Sequence, residues 1–166
     1  MSTDDRAGKS DHLTHLDSAG DARMVDVTAK PVSAREARAT GFVEVSPKVV
    51  ELLRGEGVPK GDALSVARIA GIMGAKKTPD LIPLCHPIAI SGVKVALRVE
   101  DEGVAIAATV KTADRTGVEM EALTAVAVAG LTVIDMVKAV DPAAVLTGIQ
   151  VETKTGGVSG DWSRAG

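Results

Sequence analysis

The stretch Val93-Lys94-Val95-Ala96-Leu97-Arg98-Val99-Glu100-Asp101-Glu102-Gly103-Val104-Ala105-Ile106-Ala107-Ala108-Thr109-Val110 decides the fold. Val93, Val95, Leu97 and Val99 alternate with polar or small residues, and Val104, Ile106, Ala108 and Val110 alternate again. A period of two puts one face of each run on a core and the other toward water. The polar run from Glu100 to Gly103 separates the two, which predicts a β-hairpin. Downstream, Gly117 to Val140 predicts one long helix that ends at Asp141-Pro142 and spans roughly 36 Å at 1.5 Å per residue. Its middle, Ala122 to Ile134, is apolar nearly all round, so it should be buried on most sides. Antiparallel strands combined with helices predict a two-layer α+β fold.

Working upstream, most of 32–45 reads as one long strand. Ser46-Pro47 then supplies a hydroxyl cap and a proline at the first helical position. That helix carries Val49, Val50, Leu52 and Leu53 and should stop at Gly55 or Gly57. A second helix, capped by Asp62, carries an apolar stripe of Leu64, Ala67, Ile69, Ile72 and Met73. Ala70, Gly71, Gly74 and Ala75 make part of it narrow enough for close backbone approach, at about 1 kcal/mol of helix stability per Gly. Pro79, Pro83 and Pro87 exclude a regular helix or central strand across 78–87 and predict a fixed, packed loop. A last strand is expected near 147–153. Residues 1–20 are polar and aperiodic and read as a mobile arm; 21–153 form a single α+β domain; the glycine-rich 154–166 read as a flexible tail.

Composition narrows the function. Of the chain's 166 residues 45% are hydrophobic, yet the only aromatics are Phe42 and Trp162 and there is no tyrosine. A protein that stacks bases on aromatic platforms is excluded. The net charge of −3 provides no basic excess for nucleic acid or anionic membrane. The longest uncharged, mostly apolar run is Ala122 to Ile134, and its thirteen residues are short of the about 20 that a membrane span needs. The single cysteine, Cys85, cannot form an internal disulfide, and the polar N-terminus has no secretory core; a soluble cytoplasmic protein is expected.

Several residues could carry chemistry. Lys60 sits beside Gly61 at the mouth of a helix, whose positive end favours loss of an ammonium proton; a solvated loop lysine fits the same spacing. Cys85-His86 reads either as a nucleophile beside a base or as a small buried thiol next to a histidine pinned by Pro87. His12-x-x-His15 has metal-compatible spacing but no cysteine partners, which argues against zinc. Glu119 and Glu121 open the long helix, where carboxylates suit the helix dipole, but they point about 160° apart, so both cannot be solvated on a buried helix. Asp135 and Lys138, three apart, share a face and form either a structural ion pair or a coupled acid–base pair. Glu121 and Asp135 lie about 21 Å apart along a straight helix. One small-molecule site touching both ends therefore needs two chains, packed about a twofold axis.

Assembled in order, Met24-Val25-Asp26-Val27, Lys60-Gly61-Asp62, Ala67-Arg68-Ile69-Ala70-Gly71-Ile72, Asp80-Leu81-Ile82-Pro83-Leu84-Cys85-His86-Pro87, Thr116-Gly117-Val118-Glu119-Met120-Glu121-Ala122-Leu123-Thr124 and Asp135-Met136-Val137-Lys138-Ala139-Val140 resemble the molybdenum cofactor biosynthesis protein C family, the cyclic pyranopterin monophosphate synthases. The resemblance covers about 14–162. It implies a ferredoxin-like sandwich of antiparallel sheet and helices with extra helices, with 21–153 as the catalytic domain. It also implies a lyase that converts 3′,8-cyclo-7,8-dihydroguanosine 5′-triphosphate to cyclic pyranopterin monophosphate and releases pyrophosphate. The substrate would come from a radical SAM GTP cyclase, and the enzyme would be a homohexamer, a trimer of dimers, with no cofactor or metal of its own. By matching motif, Lys60, Asp135 and Lys138 would be the acid–base group. Leu84, Cys85, His86, Met120 and Glu121 would line the substrate, and Glu119, Lys76, Arg35 and Lys154 would make polar or phosphate contacts. One departure is Val158, where the family's glycine-rich tail often has a basic residue. Two other classes compete with the synthase: a sensor that binds a small anionic ligand without turnover, and a hydrolase built on Cys85.

Overall fold

The computed structural model describes residues 11–55 and 60–164, with backbone alone for 60–62. The elements run β1 (Ser33–Glu44), α1 (Pro47–Leu53), α2 (Lys60–Lys76), α3 (Thr78–Leu81), β2 (Ile90–Glu100), β3 (Gly103–Asp114), α4 (Glu119–Val137), β4 (Val145–Thr155) and β5 (Trp162–Ser163). The sheet order is β2-β3-β1-β4-β5, and every pair is antiparallel. Setting β5 aside, the order 4-1-3-2 with helical crossovers after the first and third strands is the ferredoxin-like arrangement. The predicted fold class is the observed one.

Local chemistry accounts for the element starts. The Ser46 hydroxyl accepts a hydrogen bond from Val49 N at 3.3 Å, with Pro47 in the first turn, as the sequence predicts. Ser46 N in turn donates to the Asp141 carboxylate at 2.8 Å, tying the start of α1 to the chain beyond α4. The hairpin turns on Asp101 and Glu102, with Glu100 facing Gly103. A Cβ at Gly103 would fall 1.9 Å from the Val43 carbonyl oxygen of the neighbouring strand, so the close strand approach there needs glycine. The proline-rich stretch differs from expectation over four residues: α3 forms a single turn. Pro79 is tolerated because it sits at the start of that turn, and the buried Thr78 hydroxyl donates to the Ala75 carbonyl at 2.9 Å.

Both long helices lie on one face of the sheet. The core is made of Ala37, Ala39 and Val43 on β1, Val104, Ile106, Ala108 and Val110 on β3, and Ala122, Ala125, Val126, Ala129 and Val133 on α4. No aromatic belongs to it, so layer thickness is set by Ala and Val, and the helices must come close to leave no void. They do. A Cβ at Gly71 would lie 2.9 Å from the Ala125 carbonyl oxygen, and one at Gly74 would lie 2.8 Å from Val128 Cβ. By length and composition α4 could cross a membrane, but half of its apolar window is buried inside this domain as the central core helix.

The C-terminal stretch is folded back on the sheet through residue 164. β4 continues to Thr155, and Trp162–Ser163 pair with Lys154 and Thr153. Gly156 and Gly157, both at φ +84°, make the reversal. A Cβ at Gly156 would fall 2.0 Å from the Ala34 carbonyl oxygen, and Gly156 N is clipped by the Asp161 carboxylate at 3.0 Å.

Candidate active site

A cavity of about 360 Å³ opens where the start of α4, the loop after α3 and the segment before β1 converge. Its volume is that of a small-molecule site. The loop supplies Leu84, Cys85 and His86; the approach to α4 supplies Thr116, Gly117, Glu119, Met120 and Glu121. The N-terminal segment supplies Thr14, His15, Val25, Val27 and Lys30. A second chamber of about 120 Å³ adjoins it, with Lys30, Glu119 and Lys154 lining both and Arg35, Gly156 and Ser159 lining the smaller one.

The walls are held by the sheet. Ala89 N donates to the Asp114 carboxylate at 3.2 Å and the Thr112 hydroxyl donates to the Ala89 carbonyl, so the end of the Cys85-His86 loop is fastened to β3. The Asp114 carboxyl, accepting from Arg115 N and then Ala89 N, is held below the usual carboxylate range. Arg35 donates through Nε to the Asp114 carbonyl at 3.1 Å and through Nη2 to the Arg115 carbonyl at 3.3 Å. A Cβ at Gly157 would fall 2.1 Å from Arg35 Nη1, so the glycine makes room for that guanidinium. Across the mouth of the two chambers, Lys154 Nζ lies 3.2 Å from Glu119 Oε1.

Electrostatics separate the two carboxylates. Glu119 is paired with Lys154, whereas Glu121 is only 3% exposed. Burial pushes the Glu121 carboxyl up to about 7; its own backbone N–H opposes the shift, and the charge of Glu119 adds to it. A carboxyl poised there can present either a donor or an acceptor to a ligand near neutral pH. Burial, and then the Glu121 charge, also push the Cys85 thiol up, which keeps it protonated. That opposes its use as a nucleophile, since the thiolate is the reactive form. Asp26 is held below the usual carboxylate range, first by bonds from the Thr28 hydroxyl and Thr28 N and, least, by His86.

Leu84, Cys85, His86, Glu119, Met120, Glu121 and Lys154 thus meet in one cavity, with Arg35 next door. Lys76, at the last turn of α2, lines neither chamber. Nor do Asp135 and Lys138, which form a 2.7 Å pair at the far end of α4, with side chains 67% and 64% exposed. The Lys60 side chain lies outside the described residues. Sequence reasoning missed Thr14 and Lys30, and it weighed His15 only as a metal ligand. Thr14 and His15 fall in an aperiodic polar stretch, where the cue to a folded segment is Asp17-Ser18-Ala19-Gly20-Asp21, whose residue types suit a side-chain-capped turn.

The ferredoxin-like frame sets a near-neutral buried carboxyl, a histidine and a thiol in one chamber and cations in the next, a set of groups able to exchange protons with a small molecule and to attract an anion. Residues 24–157 match the family model described as the MoaC family, and the chain belongs to that family. It is 75% identical over 155 residues to the cyclic pyranopterin monophosphate synthase of Streptomyces avermitilis, covering 93% of this chain and 91% of that protein. The Streptomyces coelicolor protein of the same name is 69% identical, over 99% of this chain and 100% of its own length. That of Corynebacterium glutamicum is 60% identical, over 91% and 97%.

Proposed function

We propose that this chain is a cyclic pyranopterin monophosphate synthase of molybdenum cofactor biosynthesis. It is a lyase that converts 3′,8-cyclo-7,8-dihydroguanosine 5′-triphosphate to cyclic pyranopterin monophosphate with release of pyrophosphate. The observation that carries the reading is the paired chamber, in a chain similar to the named synthases over nearly their whole length. The larger chamber suits the guanine-derived ring: Glu121 and His86 offer polar contacts and Leu84, Met120 and Val27 offer aliphatic walls. The smaller one suits phosphates: Arg35, Lys30 and Lys154 supply positive charge, and Arg adds a planar fork. A hydroxyl of the substrate itself forms the new bond to the α-phosphorus and gives up its proton as the bond from that phosphorus to the bridging oxygen breaks and pyrophosphate leaves; cations aimed at the bridging oxygen stabilise the developing charge.

Ring opening and re-closure need protons moved on and off the bound substrate. Lys60, Asp135 and Lys138 are proposed for that work. Asp135 and Lys138 stand on the exposed far end of α4, so they act in the cavity of a second copy. Exposed apolar side chains on the two long helices support this: Leu131 and Met136 on α4 and Val66, Ile69 and Met73 on α2 are left 45–59% exposed. Val66, Ile69 and Met73 follow helical spacing along one side of α2, the pattern of a helix waiting for a partner. The proposed assembly is a homohexamer of three such dimers in the cytoplasm, fed by a radical SAM GTP cyclase.

Incubation with the cyclic dihydro-GTP derivative tests the reading. The wild-type chain is expected to release one pyrophosphate per pterin formed. Lys60→Ala and Asp135→Asn are expected to lose turnover while keeping the wild-type oligomeric mass. Tight binding of the substrate without pyrophosphate release would identify a sensor instead.

A further inference from the structure

We propose that His15 is a further substrate-contacting residue, offering its Nε2 to a ring N–H or ribose hydroxyl of the bound nucleotide. This rests on the synthase reading and deepens it. Residues 14–23 form a hairpin built from polar bonds. The Asp17 carboxylate accepts from Ala19 N and Asp21 N, each at 2.9 Å, and Asp17 N donates to the Asp21 carbonyl at 2.9 Å. Gly20 takes φ +86° in the turn, and Arg23 N closes the hairpin on the His15 carbonyl at 2.7 Å. Arg23 Nε adds a bond to the Thr14 carbonyl at 3.2 Å. The hairpin buries little apolar surface of its own: Leu13 is 74% and Leu16 38% exposed. Thr14 and His15, both solvent-exposed, line one side of the larger chamber together with Lys30.

The ring's bonding sets its chemistry. His15 Nδ1 lies 3.3 Å from the Arg23 carbonyl oxygen. A carbonyl can only accept, so Nδ1 carries the hydrogen, and in the neutral ring Nε2 keeps its lone pair. Nε2 is then the nitrogen left for a ligand. In that tautomer it is an acceptor in a chamber whose other polar side chains include Glu121 and His86, and a guanine-derived ring and its ribose bring N–H and O–H donors to such a group. His15 lies outside the 24–157 span of the family model, so the family match assigns it nothing.

Two substitutions separate contact from scaffolding. Asn places an amide where Nδ1 lies and can keep the bond to Arg23 while removing the far end of the ring; Gln places its amide where Nε2 lies. In the full-length chain, His15→Asn and His15→Ala are expected to raise the KM for the cyclic dihydro-GTP derivative about tenfold, one hydrogen bond's worth. His15→Gln is expected to stay within about threefold of wild type, and kcat to move less than KM in all three. The proposal is overturned if Asn behaves as wild type, if all three do, or if Gln is impaired as much as Ala. Each of those patterns would leave His15 fastening the hairpin or doing nothing. Absence of pyrophosphate release by the wild-type chain would overturn the synthase reading and this inference with it.

Discussion

Glu121 shows how one side chain ties stability to function. Its folded-state value, about 7, lies above the ordinary 4.5, so the folded chain holds that proton more tightly than the unfolded chain does. The cost of carrying the charge is absent below the unfolded value, grows as pH rises from 4.5 to about 7 and is complete above it. Glu121→Gln cannot ionise. It is predicted to raise Tm relative to wild type at pH 8 and to match wild type at pH 5, because there the native carboxyl is protonated too. An equal Tm difference at both pH values would contradict the assigned burial. Cys85 makes the opposite kind of prediction: with a thiol kept protonated, Cys85→Ser should keep most of kcat/KM, and near-total loss would restore the hydrolase reading. At this scale the sequence was partly legible. Cys85, His86, Glu119 and Glu121 stand in uncommon motifs, and the structure gathers them. His15 was marked only as one of two metal-spaced histidines and Lys30 not at all, because side-chain bonds from Asp17 and Arg23 order the His15 segment, turn bonds among Asp26, Val27, Thr28 and Lys30 order the other, and apolar periodicity plays no part in either.

Among the elements, the close contact of α2 and α4 governs the packing. Gly71 and Gly74 let α2 approach a helix rich in Ala and Val, as their small size suggested from the sequence. Gly71→Ala adds a methyl group 2.9 Å from a backbone carbonyl, which cannot swing away as a flexible side chain would. Overpacking of this kind costs about 1–3 kcal/mol, offset by up to about 1 kcal/mol of helix propensity. With the full offset the net cost is about 0–2 kcal/mol, a Tm lower by up to about 8 °C; a higher Tm would mean that the two helices have room to part. The hairpin and α4 were legible because alternation and an all-round apolar run are strong local signals. The one-turn α3 and the two-residue β5 were not. The first depends on where Pro79 falls relative to the turn, and the second on Gly156, Gly157 and Asp161 turning the chain back onto β4, both tertiary facts.

For the whole molecule, the decisive feature is the separation of the two ends of α4. The cavity gathers at Glu119 and Glu121, and the Asp135–Lys138 pair stands on the surface about 21 Å away along the axis. A single chain cannot bring them together without unfolding its core helix, whereas a twofold-related copy can. The most direct test is complementation between two inactive variants, Asp135→Asn and Glu121→Ala, refolded together in equal amounts. If each site joins the cavity of one chain to the acid–base pair of another, half of the randomly assorted dimers are mixed and each has one intact site. Recovery of about a quarter of wild-type pyrophosphate release is expected from two proteins that are each inactive alone. No recovery in mixtures shown by mass to contain mixed dimers would contradict the shared site.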